Sequence, residues 1–329
     1  MRGNWAAISL CAVLGSAARP AGVAVPESFR IPATIVRTIE PPPDQPMRMP
    51  TDVAVDSQGR IYVVDGANDR VVCFRPDGRL DRVLNAASDV PLKQPVGISV
   101  DAQDRVWIAD SGNGRVLAVL PDGQLDQTAA LPTAEAAKRP DPTDVAVSPD
   151  GARLYVVDND NHRLLVRDNA NGQWKSLGGK GRGLGRFQWP FMICIGADGY
   201  VFVTEVIGAR VQRLSPDDRW AGALARWGVQ IGQLYRPKGI AADATGKLYV
   251  SDSTLGVIQR FRARGEVDGV LTAADGSALQ FQHPMGLCFD GQGRLLVVEL
   301  GANRIAVVAI LSGTSGSDEQ KAGGPKDTR

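Results

Sequence analysis

One pattern recurs six times along this chain, and it constrains the fold more than any other feature of the sequence. Each copy opens on a proline, runs through a short apolar stretch and turns at a sequence rich in Asp and Gly. A second apolar stretch then ends in Asp or Glu, a small polar loop that usually carries an Arg follows, and a third apolar stretch closes the copy. The copies read PTDVAVDSQGRIYVVDGANDRVVCF from Pro50, PVGISVDAQDRVWIADSGNGRVLAV from Pro95 and PTDVAVSPDGARLYVVDNDNHRLLV from Pro142. They continue as PFMICIGADGYVFVTEVIGARVQRL from Pro190, PKGIAADATGKLYVSDSTLGVIQRF from Pro237 and PMGLCFDGQGRLLVVELGANRIAVV from Pro284. Successive prolines lie 45, 47, 48, 47 and 47 residues apart, a phase that chance does not keep. The three runs of each copy are rich in Val, Ile, Leu and aromatic residues and are divided by turns such as S-Q-G, S-P-D-G and A-T-G, which are strand and hairpin signals. A fourth, less regular strand fits the connections, for example RLDRVL (Arg79 to Leu84) and ALARWG (Ala223 to Gly228). Four antiparallel strands repeated at this interval predict an all-β chain, a six-bladed β-propeller of four-stranded antiparallel blades.

The sixth copy stops after its third strand, near Leu311, and the residues after it are polar and Gly-rich. The strand-like segment ATIVRTIE (Ala33 to Glu40), ahead of the first copy, is therefore expected to supply the missing outer strand and close the ring. Residues 1–24 are expected to be a signal peptide, 25–311 the propeller and 312–329 a disordered tail. The signal reading rests on Arg2 followed by a 14-residue apolar run from Trp5 to Ala18, shorter than a bilayer span, with small residues suited to cleavage after Ala18 or Ala24. It predicts a secreted or periplasmic protein with no membrane span after cleavage. The chain has 329 residues with 37 Gly and 21 Pro, which the repeat assigns to turns and blade starts. A net charge of +1 gives no electrostatic footprint for nucleic acid, so no nucleic-acid partner is expected. Cys73, Cys194 and Cys288 sit in apolar strand runs without metal-ligand spacing and read as buried free thiols.

The repeat resembles the NHL family of propellers, whose Asn-His-Leu signature follows the second strand. Here the signature stands as N-H-R-L at Asn161 to Leu164, with N-D-R-V at Asn68 to Val71, N-G-R-V at Asn113 to Val116 and N-R-I at Asn303 to Ile305. The lead-in GGKGRGLGRFQWP (Gly178 to Pro190) also looks like an NHL spacer. It lacks a phosphate-loop motif, and its Lys180, Arg182 and Arg186, with Lys175, Trp174, Phe187 and Trp189 nearby, read as a solvated loop before a polyanion site. The resemblance covers about residues 33 to 311 and implies fold, not activity.

Enzymes of similar fold can be tested position by position. Amidating lyases place zinc-binding histidines immediately after the blade prolines. Here those channel-mouth positions are Thr51, Val96, Thr143, Phe191, Lys238 and Met285, and the chain's two histidines, His162 and His283, cannot form a three-His site. The resemblance to lactonase-type propellers implies a divalent cation held in the channel by oxygen ligands. Asp52 and Asp144 are the carboxylates placed for it, with calcium the cation considered; the alternative role for them is to bond turn backbone. No cofactor is otherwise predicted. Streptogramin-type lyases use catalytic histidines, and here His162 reads as part of the repeat signature. What remains is a scaffold that presents a surface to an unidentified protein, peptide or small ligand. The fourth and fifth copies depart from the pattern at Gly208, Leu255 and Val257. With Phe191, Met192, Val206 and Ile207 these predict an apolar patch beside Lys238, the candidate binding face. A binding module is the favoured function, and a metal-dependent hydrolase or lyase of the lactonase-like kind is the alternative.

Overall fold

The computed structural model describes residues 24–87, 90–133 and 139–311. The signal-peptide and tail expectations fall on residues outside this set. The strands are β1 (Arg30–Ile39), β2 (Pro50–Val55), β3 (Ile61–Asp65), β4 (Arg70–Phe74), β5 (Leu80–Leu84), and the short pair β6 (Ala86–Ala87) and β7 (Val90–Pro91). They continue with β8 (Pro95–Val100), β9 (Val106–Asp110), β10 (Arg115–Val119), β11 (Leu125–Ala130), β12 (Pro142–Val147), β13 (Arg153–Asp158), β14 (Arg163–Asp168) and β15 (Trp174–Gly178). After these come β16 (Pro190–Ile195), β17 (Val201–Glu205), β18 (Arg210–Leu214), β19 (Trp220–Leu224), β20 (Pro237–Ala242), β21 (Leu248–Asp252), β22 (Val257–Phe261) and β23 (Val267–Thr272). The last copy supplies β24 (Pro284–Phe289), β25 (Leu295–Glu299) and β26 (Arg304–Ile310). No helix of the described residues is long and apolar enough to cross a membrane.

Every proline-led run is an inner strand. β2, β8, β12, β16, β20 and β24 touch one another in that order, and β24 touches β2, so the inner strands form a closed ring about a channel. Each continues outward through antiparallel neighbours, as β2 does through β3 and β4 to β5. The second strand of each copy is buried along its whole apolar run because sheets pack against it on both faces; β3, β9, β17, β21 and β25 have no exposed residue. Outer strands meet solvent and alternate instead, as β11 does with Leu125, Gln127 and Ala129 facing inward. The apolar cores lie between successive sheets. Tyr62, Val71 and Cys73 pack on Ile98, Ile108 and Leu117, and Trp107 and Val116 pack on Val145 and Val156.

The sheet count differs from six separate four-stranded units. Besides the small β6-β7 pair there are four such sheets and one of eight strands, ordered β20-β21-β22-β23-β1-β26-β25-β24. The physical reason is the length of β1, which reaches beyond the segment expected from the sequence. Over Ala33–Ile39 it pairs antiparallel with β26, as the closure reading requires, while Arg30–Pro32 pair parallel with Val270–Thr272 of β23. One strand thus joins the first and last described segments and also stitches two neighbouring sheets together.

Candidate functional site

The inner strands share an irregularity. In every inner pair the register breaks just after the proline, between Pro50 and Val53 in β2 and between Pro142 and Asp144 in β12. A bulge re-aims the side chain beside it, and here the re-aimed third position is Asp52, Gly97, Asp144, Met192, Gly239 or Gly286. Asp52 Oδ2 accepts the Ile98 N–H of the next inner strand at 2.9 Å. Asp144 does the same to Ile193 N–H at 2.8 Å and also accepts Val145 N–H at 2.8 Å. Each carboxylate displaces the space of a side chain on the preceding strand. A Cβ on Gly286 would run into Asp52, and one on Gly97 into Asp144. The aspartates therefore bond backbone, each reaching across to the next blade, with Asp144 also holding the N–H that follows it in its own strand.

Asp52 and Asp144 stand at one end of a cavity of about 300 Å³ that follows the third to sixth positions of the inner strands. Burial relaxes toward the strand ends, where Val55, Val100, Ile195 and Phe289 are half-exposed, so the cavity opens on that side. At the other end the channel-mouth positions are packed shut. Val96, Phe191, Met192 and Met285 share one apolar cluster, and Lys238 Nζ lies 4.0 Å from the centre of the Phe191 ring. Thr51 and Thr143 turn their hydroxyls onto the Val96 and Phe191 carbonyls of the next strand. Burial pushes the Asp52 carboxyl up to about 7. Burial, then the nearby charge of Asp52, holds Asp144 well above the usual carboxylate range. The walls carry Ser99, Cys194 and Cys288, whose thiols burial pushes up, Cys288 to about 12. Such thiols are not nucleophiles near neutral pH, and the three described cysteines are free.

These residues do not make a ligand set for calcium. A hard cation takes six to eight oxygens, whereas the third positions other than Asp52 and Asp144 are Gly or Met. No group of three or more His, Cys, Asp or Glu among the described residues is placed to hold a metal.

The opposite face, at the proline ends of the inner strands, is built by a repeated ionic clasp. The acid that ends each second strand is buried and accepts a backbone N–H from the lead-in to the inner strand. Asp65 takes Arg48, Asp110 takes Lys93, Asp158 takes Asp141, Glu205 takes Gln188 and Glu299 takes Gln282. The loop arginine closes the clasp, with Arg70, Arg115, Arg163, Arg210 and Arg304 each within 2.6 or 2.7 Å of its carboxylate. The loop residue before that arginine reaches the next blade. Asp69 accepts Gln94 N–H, His162 Nδ1 accepts Trp189 N–H and Asn303 accepts Met49 N–H. His162 also meets the Trp189 ring edge-on at 4.7 Å, so it is a structural residue. His283 turns Nδ1 to the Ser253 carbonyl at 3.1 Å.

The predicted binding-face residues divide into three groups. Phe191 and Met192 are corrected to core: they belong to the buried plug because the inner strands converge there. Val206 is half-buried against the same cluster, and Ile207 stands exposed on the loop. Leu255 and Val257 line a separate cavity of about 230 Å³ with Val229, Ile231, Val270 and Ala278. Val257 stands at the position that carries the clasp arginine in the other copies. Asp252 instead accepts the N–H groups of Tyr235, Arg236, Thr254 and Leu255. Sequence reasoning missed Leu184, Trp227 and Val229, which are 53%, 65% and 66% exposed. Their signal is the apolar character of two otherwise polar, Gly-rich lead-ins.

With this geometry in view, the chain can be set beside known proteins. The NHL repeat model matches residues 47–74, 92–119 and 140–166. No curated protein matches in sequence. A gluconolactonase from Xanthomonas campestris superposes with a TM-score of 0.63 at 19% identity, covering 89% of this chain and 99% of that one. A virginiamycin B lyase from Staphylococcus aureus gives 0.61 at 16% identity, covering 88% and 99%. An auxiliary nutrient binding protein from Bacteroides thetaiotaomicron gives 0.62 at 12% identity, covering 83% and 73%. At these identities the likeness is one of fold, and it spans two enzymes and a binding protein. The chain is an all-β propeller of four-stranded antiparallel blades that carries NHL repeats.

Proposed function

We propose that this chain is a six-bladed propeller, its eight-stranded sheet being two blades joined by β1, and that it acts as a binding module. The contact surface is the face formed by the lead-ins to β16 and β20. One observation carries this reading. Of the eight exposed large apolar residues among those described, Leu184, Trp189, Ile207, Trp227 and Val229 lie in these two lead-ins and the loop between β17 and β18. Scattered exposed apolar residues need no explanation, but a cluster marks an interaction site. The partner is an anionic ligand, polymer or surface met outside the cytoplasm, following the signal reading of residues 1–24, because the two lead-ins carry Lys180, Arg182, Arg186, Arg226 and Arg236 and no acid. Mass analysis of the mature N-terminus tests that location.

Trp227 and Trp189 make tryptophan emission the direct test of the face. Dextran sulfate, poly-glutamate and anionic vesicles are added in turn to the full chain. A spectral shift with at least one probe, reduced in Trp227→Phe, supports the reading. No shift with any probe overturns it.

The second reading is a hydrolase or lyase of the lactonase-like kind, supported by a cavity that opens to solvent with Asp52 and Asp144 at its closed end and by the likeness to a gluconolactonase; a divalent cation there would need ligands beyond these two carboxylates. Stoichiometric calcium or zinc in the purified protein, with chelator-sensitive lactone hydrolysis, would put this reading first. Amidating-lyase activity is not proposed, because the positions after the blade prolines carry no histidine.

A further inference from the structure

We infer that the occupant of this face is an anionic lipid surface, an inference that rests on the binding-module reading above. The lead-in to β16, residues 179–189, carries Lys180, Arg182 and Arg186, and the lead-in to β20, residues 225–236, carries Arg226 and Arg236; neither contains an acid. Among the described residues no ion pair joins Lys180, Arg182, Arg186 or Arg226 to a carboxylate. The paired arginine of this region, Arg210, is spent on Glu205 and on the Arg182, Gly183 and Arg186 carbonyls, which fixes the first lead-in in place. Gln259 holds the second, donating to Gln233 O and accepting Gly232 N–H. Both lead-ins precede inner strands that touch, β16 and β20, so their loops stand side by side at one end of the ring.

The exposed apolar groups alternate with these cations. Leu184 lies between Arg182 and Arg186, and Trp227 and Val229 follow Arg226. Lys180 Nζ lies 5.8 Å from the centre of the Trp189 ring, and Trp227 leans on Tyr235 at 6.1 Å. A polyanionic sugar offers the cations a partner and leaves Leu184 and Val229 in water. An acidic peptide needs a groove that offers it cations, whereas the cavity bordered by Val229 has no charged residue in its lining, and Leu184 and Trp227 lie exposed outside it. A bilayer with anionic headgroups matches both parts at once. Tryptophan settles at the headgroup level, aliphatic tips enter the acyl boundary and Lys and Arg meet the negative surface potential.

The test is co-sedimentation of the full chain with vesicles of phosphatidylcholine alone or mixed with phosphatidylglycerol. Binding is expected only with phosphatidylglycerol, with a blue shift of tryptophan emission and weakening as salt rises. Arg182→Glu and Arg226→Glu should each lower partitioning by about five-fold or more. Trp227→Ser with Val229→Ser should lower it by about ten-fold or more. Arg79→Ala, in the turn at the opposite end of the ring, should leave it unchanged. Equal binding to both vesicle types, or equal loss in Arg79→Ala, overturns the lipid assignment. So does the absence of vesicle binding when dextran sulfate or poly-glutamate still shifts Trp227, and in that case the binding face itself stands. Silence with every probe overturns both. The variants sit on the surface, and matching melting curves establish that each is folded.

Discussion

The two channel aspartates are buried, and among the described residues no Lys or Arg pairs with either, which makes the stability of the ring depend on pH. The carboxyl of Asp52 ionises at about 7 in the folded chain against an ordinary value of 3.8. Between those values the native state binds the proton and the unfolded state does not, so stability falls as pH rises, by about 1.4 kcal/mol per pH unit for one such group. Asp144 is shifted in the same direction by burial and by Asp52. Urea midpoints measured from pH 4 to pH 8 should therefore decline. Asp52→Asn should flatten the decline, because the amide keeps an acceptor for Ile98 N–H without a charge to desolvate. An unchanged slope in Asp52→Asn would refute this account. The sequence placed both aspartates at the channel because the proline sets their position on the inner strand. Their actual partners, Ile98 and Ile193, lie 46 and 49 residues away, beyond the reach of local pattern. Phe191 and Met192 failed as surface residues for a related reason: they enter the patch as apolar neighbours of the deviating loops, and apolar character at the start of an inner strand does not say whether the side chain meets solvent or the converging strands.

The unit that repeats is less the hairpin than the clasp of acid, arginine and lead-in. Arg163 is the best-buried cation of the series, its side chain 8% exposed against 0% for Asp158, and its Nη2 also donates to Pro132 O. Arg163→Ala leaves Asp158 with Asp141 N–H and Asn161 but no charge partner. Removing one side of a buried pair costs about 3–5 kcal/mol, and a lower urea midpoint at unchanged m should record it. The fifth copy gives the reverse experiment. Val257→Arg would restore the arginine at the repeat position that pairs with the strand-end acid, here Asp252, from a residue that now lines a cavity with Leu255. It should raise the melting temperature while removing that cavity; a drop would mean that the four N–H donors of Asp252 already saturate it. The acid and the arginine are both visible in the sequence as fixed positions of the repeat. That they meet is not, since the loop between them also had to turn through the left-handed residues Asp69, His162 and Asn303. The Asn-His-Leu resemblance located this loop correctly and read His162 as structural, which the Trp189 contact explains.

At the scale of the ring, everything rests on one strand being in the right place. β1 lies between β23 and β26, so it covers two sheet edges at once and leaves neither as a template for another chain. Its Ile31, Ala33 and Ile39 are buried, the first two in the core shared by the last two repeats. The repeat arithmetic anticipated this pairing because the last copy lacks an outer strand, whereas the parallel contact with β23 depends on three residues, Arg30–Pro32, that precede the periodic segment. Deleting residues 30–41 removes both pairings together. Losing two buried isoleucines alone costs about 4 kcal/mol or more, and the two bared edges add a route to self-association. The truncated chain should melt well below the full one and elute as dimers or larger species, with the earliest loss of amide protection in β23 and β26. Melting like the full chain would mean that the inner-strand ring holds without its closing strand. A deletion confined to residues 30–32 separates the two contacts: it bares β23 alone, and protection should then fall there while β26 keeps its partner.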